Sequence, residues 1–374
     1  MHHDGSEYPE YIPYRHHWIP AILNRKLTNI SEVICEIDAD IIGLQEIENL
    51  NALKLLQQSL KKYGCSYGYR AITHKAKSAI QVGLLSKIPI QYARDIVVSR
   101  SRGIRNILET KFTIEGNPLY IFVNHWNSKH SPNRKRLRSA LALKQRITSL
   151  SARSEYIILG DFNLHYNESI MIETMQTVRE EDISEKSHYN LWYELPIYQR
   201  WSHNFYGKKQ ALDAILIPQS LVDGRGVDYQ NNSFKVFKRS YLFHKKGYIL
   251  RWQYQKKRHK GVGYSDHLPI LASFATKPYW HEVYHPTLSI LKKLKNQKIN
   301  LPVLIKNIEV LSIKNRKAII KDSSGKIAIY GVDQPLEVGC YYDIMVYKRQ
   351  LYKGVYEIVD FTIEKRYDNS KKRS

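Results

Sequence analysis

Only three cysteines occur in the 374 residues, Cys35, Cys65 and Cys340, and no two of them stand at CxxC spacing. That excludes a zinc-ribbon or thiol-exchange motif and gives no disulfide framework, so the three read as buried free thiols. No apolar run approaches the roughly 18 to 20 residues that a membrane-crossing helix needs. The start, Met1-His2-His3-Asp4-Gly5, lacks the charged-then-apolar pattern of a secretory leader, and membrane insertion is not expected. Acidic residues are in the minority, with 35 Asp and Glu against 58 Lys and Arg, a net charge of +23. Such a surplus attracts polyanions, nucleic acid first and anionic lipid headgroups second. The chain has no internal repeat and no feature that indicates a protein partner.

What is present is enough for a core. Hydrophobic residues make up 43% of the chain and charged residues 25%, and the length accommodates two domains. Apolar residues at helical spacing from Asn24 to Ile37 lead into the buried run Ile41-Ile42-Gly43-Leu44. A second helix is expected after a cap at Asn51, and a third from Asn133 to Leu150. Strands are expected at Ser78–Leu85, Ile90–Val98, Leu108–Ile114, Leu119–Asn124, Tyr156–Leu159, Leu212–Ile217 and Leu268–Phe274. The intervals Glu180–Lys209 and Asp223–Tyr264 read as long polar and aromatic loops. This alternation predicts an α/β sandwich with mixed sheets. Beyond Pro278 a basic helical stretch, Leu288–Gln297, gives way to five short β runs, the pattern of an OB-like barrel, and Lys371-Lys372-Arg373 reads as a disordered tail. The expected divisions are residues 1–277, 278–367 and 368–374.

Four motifs set polar groups directly after apolar runs: Gln45-Glu46, Asn124-His125-Trp126, Gly160-Asp161-Phe162-Asn163 and Ser265-Asp266-His267-Leu268-Pro269. Each alone reads equally well as a turn, a cap or a satisfied histidine. Together they supply carboxylate oxygens that suit Mg²⁺ and imidazoles that can protonate or stabilise phosphate oxygens, the needs of phosphodiester hydrolysis.

At these residues, over about Leu27 to Phe274, the sequence resembles the endonuclease/exonuclease/phosphatase family, which includes deoxyribonuclease I, abasic-site endonucleases, sphingomyelinases and inositol polyphosphate 5-phosphatases. The resemblance implies a four-layer α/β sandwich with two mixed sheets and a divalent-metal-dependent phosphodiesterase. It implies that Glu46 and Asp266 hold Mg²⁺, with Mn²⁺ or Ca²⁺ as alternatives. Asp161 would orient or deprotonate water, Asn163 would position water and phosphate, and His267 would stabilise the transition state. Asp213, in Leu212-Asp213-Ala214-Ile215, would orient His267, because a carboxylate on the far nitrogen fixes the tautomer and favours the charged ring. His125 would act as general acid, and Arg105 and Asn124 would bind substrate.

Two departures stand out. Gln81 occupies a position where some relatives place an acid that orients the first histidine. The family also opens with a central strand ending in Asn, and nothing before Glu46 matches it, so the chain is expected to lack that first strand. Its localisation then stays open, periplasmic or secreted if a leader precedes it and cytoplasmic otherwise.

Basic residues flank the motifs at Lys129, Arg134, Lys135, Arg136 and Arg138, and again at Lys256, Lys257, Arg258 and Lys260. They favour a polyanionic backbone as substrate, DNA above all. Trp126, Trp192, Tyr193, Trp201, Phe205 and Tyr206 are candidates for stacking on bases. From residue 281 onward, 18 Lys and Arg against 10 Asp and Glu leave a net +8. There Tyr330, Tyr341, Tyr342, Tyr347, Tyr352 and Tyr356 could stack on a single strand or simply pack the barrel. The expected function is a DNA endonuclease. The alternatives are a lipid or inositol phosphate phosphodiesterase, and a nucleic-acid-binding protein without catalysis.

Overall fold

The computed structural model describes residues 8–76, 78–101, 103–151, 153–276, 287, 288, 291, 303–332 and 334–367. The chain divides into two compact units, one of residues 1–193 and 201–279 and one of residues 194–200 and 280–374.

In the first unit, α1 (Pro20–Ile37), β1 (Ile41–Ile47), α2 (Leu50–Tyr63), β2 (Tyr69–Ile72) and β3 (Gln81–Ser86) form one half of the sandwich. The three strands pair in the order β1-β3-β2. Leu53, Leu56 and Leu60 lie along one stripe of α2 and pack with Ile34 of α1 and Leu85 of β3, so both helices cover this sheet. The cap of α2 is Asn49, two residues earlier than expected, its side chain accepting from the Ala52 amide at 3.0 Å. Packing of the two helices also joins Cys35 to Cys65 in a disulfide, with Cα atoms 5.5 Å apart. The expectation of free thiols there is corrected. Residues 30 apart in sequence meet only once α1 and α2 pack, so spacing carried no sign of the bond. Cys340 is a free thiol, part-exposed.

The second half is a seven-stranded sheet built from β4 (Tyr92–Ile96), β5 (Ile107–Ile114), β6 (Asn117–His125), β7 (Glu155–Asp161), β8 (Thr177–Val178), β9 (His188–Asn190) and β12 (Asp213–Ile217), in the order β4-β5-β6-β7-β12-β9-β8. Between β9 and β12 lies a small separate hairpin of β10 (His203–Phe205) and β11 (Lys208–Gln210). The helix α3 (Asn133–Thr148) buries Ala140 and Leu143, and its Arg146 reaches the fully buried Glu109 on β5 at 2.8 Å. Burial works against the Glu109 charge, but hydrogen bonds from Arg146, Tyr92 and Arg94 outweigh it and hold the carboxyl below its usual range. The sheets meet closely at Gly43, where a Cβ would lie 2.4 Å from Leu159 and 2.9 Å from Val123.

Two expectations change. The strand Leu268–Phe274 is broken into Ile270–Leu271, paired with Lys235–Val236, and Phe274–Ala275, paired with Asp228–Tyr229. Among the described residues β1 pairs on one edge only, with β3, and its apolar residues stay part-exposed. The segment before α1 forms a 3-10 turn at Pro9–Tyr11 and packs Tyr11 and Trp18 on His259 instead of adding a strand.

The second unit holds a closed barrel of five strands: Val303–Lys314, Lys317–Asp322, Gly325–Tyr330, Tyr341–Tyr352 and Val355–Tyr367. In chain order they close as first, second, third, fifth and fourth, with a parallel pairing of the third and fifth. Ile305, Ile308, Ile320, Ile329, Ile344 and Ile358 fill it, and Leu288 and Leu291 join that core. The rest of the expected helix Leu288–Gln297, the linker and the basic tail lie outside the described residues. Of the tyrosines named as stacking candidates, Tyr342 is buried, whereas Tyr330 and Tyr352 are exposed.

Candidate active site

Strand register assembles the site. His125 on β6 stands opposite Asp161 on β7, and Asp161 stands opposite Asp213 on β12. Neighbouring strands lie about 4.8 Å apart, so three residues drawn from an 88-position span of the sequence form one row across the sheet. Gly160 makes this possible: its φ is +128°, and a Cβ there would fall 2.1 Å from the Asn124 carbonyl oxygen.

Asp161 is buried and accepts from Asn163 twice, from the backbone amide at 2.8 Å and from the side-chain amide at 3.0 Å. Asn163 takes a left-handed φ of 51° to do so. Its amide also donates to the Trp126 carbonyl at 3.1 Å, and the Arg105 guanidinium donates to the same oxygen at 2.8 Å. Burial and the nearby Asp213 charge push the Asp161 carboxyl up to about 7.

His267 donates from Nδ1 to Asp213 Oδ2 at 2.7 Å, which leaves Nε2 for the site. Ser202 donates to the same Asp213 oxygen. Burial opposes a charge on the ring, but Asp213, Asp161 and Asp266 outweigh it and push His267 up to about 10. His125 behaves in the opposite way. Burial, then the charges of Arg105 and His267, hold it well below its usual range, so the ring is neutral. Its Nε2 lies 3.5 Å from Asp161 and 4.0 Å from Glu46, and its buried Nδ1 has no hydrogen-bond partner among the described residues. Gln81 does not serve it: that amide is occupied by Thr73, Lys75 and Ser78.

Glu46 sits in a β-bulge, where the pairing of β1 with β3 slips between Leu44 and Ile47, with a left-handed φ of 58°. A bulge re-aims a side chain, and the Glu46 side chain is 68% exposed. Glu46 and Asp266 both act electrostatically on Lys26, whose ammonium burial pulls down to about 8, and on Tyr11, whose hydroxyl lies 3.2 Å from that ammonium. Both carboxylates are exposed, and carboxylate oxygens of this kind suit a hard divalent ion such as Mg²⁺, which keeps several waters and takes one or two protein carboxylates. Among the described residues, the groups with three close donors are His203, Asp266 and His267, and Asp161, Asp213 and His267. Glu46 belongs to neither.

Three sequence expectations do not fit this geometry. Asn124 is fully buried, its amide bonded to the Phe122 and Leu159 carbonyls and its oxygen to the Trp126 indole, so it fixes the strand end and reaches no substrate. Trp126 and Trp192 are core residues with 1% and 0% exposure, and Trp201 is buried too, so none offers a face to a base. Arg136 likewise turns inward, to the Asn127 and Ser128 carbonyls, while Arg134, Arg138, Lys256, Lys257, Arg258 and Lys260 are exposed. Sequence reasoning passed over His203, Ser202 and Lys26. The signal for the first two was a histidine and a hydroxyl inside the polar segment Trp201-Ser202-His203-Asn204. Nothing marked Lys26 among 58 Lys and Arg.

A two-sheet α/β sandwich with carboxylates, a charged imidazole and a guanidinium at its strand ends is the architecture of the phosphate-ester hydrolase class. Residues 4–276 match the model of the endonuclease/exonuclease/phosphatase family, and the chain belongs to that family. No curated protein matches it. Solved structures to which the chain is similar include a D. rerio TDP2 humanized by 14 mutations, at 17% identity and a TM-score of 0.49, covering 69% of this chain and 94% of that one. A D. rerio TDP2 complexed with single strand DNA product matches at 17% identity and 0.48, over 68% and 93%. A family protein from Bacteroides thetaiotaomicron matches at 14% and 0.48, over 67% and 89%. No helix among the described residues is long and apolar enough to cross a membrane.

Proposed function

We propose that the protein is a divalent-metal-dependent phosphodiesterase that cuts nucleic acid, and that its substrate is DNA cleaved internally. The observation that carries this reading is the His125–Asp161–Asp213 row with the charged His267 set against it. A divalent ion held by Glu46 and Asp266 would supply Lewis-acid polarisation of the phosphate. Asp161, held at about 7, accepts the proton of the attacking water, and Asn163 fixes the direction of that carboxylate. His267, cationic below about pH 10, neutralises charge that grows on the phosphate oxygens, with Asp213 holding its tautomer. Arg105, placed by its bond to the Trp126 carbonyl, adds a second cation for the phosphate. His125 is the neutral member and supports Asp161; burial argues against its expected part as general acid.

The net charge of +23 supports a polyanionic substrate, and the exposed Lys256, Lys257 and Arg258 turn supports it again. The barrel, with exposed Tyr330, Tyr352 and Lys353, is proposed as an accessory nucleic-acid-binding domain. The Cys35–Cys65 disulfide supports an oxidising compartment, the bacterial envelope or outside the cell. Incubation with plasmid, linear duplex, single strands and RNA, with Mg²⁺ or with chelator, tests the reading. Nicking of closed circles is the expected result, and intact substrates under every condition would refute it.

A further inference from the structure

A line of rings runs from the site to the tip of the β10–β11 hairpin. The His267 and His203 ring centroids lie 4.8 Å apart, His203 and Phe205 6.3 Å apart and stacked, and Phe205 and Tyr206 4.6 Å apart. The hairpin is rooted on the catalytic loop by a backbone bridge between His203 and His267 and by the Leu268 amide donating to the Ser202 carbonyl at 2.7 Å. Its outer end is bare: Phe205 is 51% exposed and Tyr206 86%.

The turn gives this exposure a meaning. Phe205 pairs with Lys208, so Tyr206 and Gly207 are a two-residue loop, with φ of 47° and 87°. Both positive values define a type I′ turn, whose first position favours Asn or Asp because they tolerate the left-handed region. A tyrosine there is strained by its Cβ and bulk, and among the described residues the one ring that the Tyr206 ring meets is Phe205, edge-on, while 86% of the residue stays exposed. An exposed aromatic at a strained position is compensated when its face packs on something from outside.

We propose that Tyr206 stacks on an unpaired nucleobase about three nucleotides from the phosphate being cut, which makes the hairpin a base-reading arm and single-stranded or frayed nucleic acid the preferred substrate. The proposal rests on the reading of the protein as a nucleic-acid phosphodiesterase. Three residues of extended strand span roughly 10 Å, which corresponds to the rise of about three stacked nucleotides, so the reach matches. Every base has a π face, and stacking is therefore tolerant of sequence. Lys208 and Lys209 on the return strand, both exposed, and Arg251, 5.9 Å from the Phe205 ring, place positive charge where the strand's phosphates would run.

The test uses the full chain and its Tyr206→Ala, Tyr206→Asn and Tyr206→Trp variants, with a single strand carrying 2-aminopurine, in chelator for binding and in Mg²⁺ for cleavage. Bis(p-nitrophenyl) phosphate, a diester without a base, reports the chemistry alone. The wild type is expected to quench the probe, and Tyr206→Ala and Tyr206→Asn to lose about tenfold in affinity and single-strand cleavage, with base-free hydrolysis unchanged. Tyr206→Trp should retain binding, and Tyr206→Asn should melt no lower than wild type because it suits the turn. Equal quenching by wild type and Tyr206→Ala overturns the proposal and leaves the enzymatic reading standing. So does an equal loss on the base-free diester, which would assign Tyr206 to the integrity of the site. A wild type that neither binds nor cleaves the strand overturns both.

Discussion

Asp213 and His267, 54 residues apart in sequence, meet at 2.7 Å; the hydrogen bond fixes the tautomer of the imidazole that faces the site, and the Asp213 charge, with those of Asp161 and Asp266, keeps the ring cationic against burial. Asp213→Asn keeps the shape and removes the charge. It is expected to lower turnover by up to about 10⁴-fold, the size of effect the same change has at a carboxylate that orients a catalytic histidine. The His267 ring, up at about 10 in the wild type, should fall toward its ordinary value, which NMR titration of the ring reads directly. An unchanged titration would separate the pair electrostatically.

The pH profile follows from the same shifts. Asp161 must be anionic to accept a proton, so rate should rise as pH passes about 7. His267 must be cationic, so rate should fall as pH passes about 10. For stability the sign is set by the raised histidine. The contribution of the Asp213–His267 pair is complete below the unfolded value near 6.5 and is lost as pH rises through about 10. Melting temperature across that interval should fall further in wild type than in His267→Ala.

Glu46→Ala, Asp161→Ala and His267→Ala are each expected to cut turnover by several orders of magnitude while leaving DNA binding at low salt largely intact. Catalytic groups act in the transition state, whereas affinity for the backbone comes from Lys and Arg. Near-normal cleavage by any of them would remove that residue from the account.

On the barrel, Tyr352 is 52% exposed and Lys353 lies 5.4 Å over its ring. Tyr352→Ala with Lys353→Ala should weaken single-strand binding and lower the salt slope by roughly one, the share of one phosphate contact. A slope and affinity equal to wild type would exclude this end of the barrel from binding.

His125 and Asp161 were legible in the sequence because each ends a strongly apolar strand, and strand register then sets them in one row with Asp213 at the start of β12. Asp213 was found for a physical reason too, since a carboxylate among Leu212, Ala214 and Ile215 demands a partner. The misses have a common cause. Asn124 looks like His125 in sequence, yet strand alternation and the Trp126 indole turn it inward. The disulfide depends on how two helices pack, and neither local composition nor spacing carries that. Tyr206 was visible as an aromatic in a loop, but its exposure and its turn conformation are properties of the folded hairpin.

Reduction tests the helix pair. Closing a loop of 30 residues, the Cys35–Cys65 bond should contribute about 3.6 kcal/mol, so Cys35→Ser with Cys65→Ser should melt several degrees lower. The Glu46 bulge lies within that loop, and metal-dependent cleavage should survive at low temperature. Identical melting of the variant and the oxidised wild type would contradict the bond's role.

The central claim is that a metal-assisted phosphodiester cleavage runs through His267, and the most direct measurement is the conversion of supercoiled plasmid to open circles by wild type and His267→Ala, in Mg²⁺ and in chelator. The account predicts nicking by wild type in Mg²⁺ alone, with loss of several orders of magnitude in the variant. Nicking that persists in chelator, or that His267→Ala performs at the wild-type rate, would contradict it.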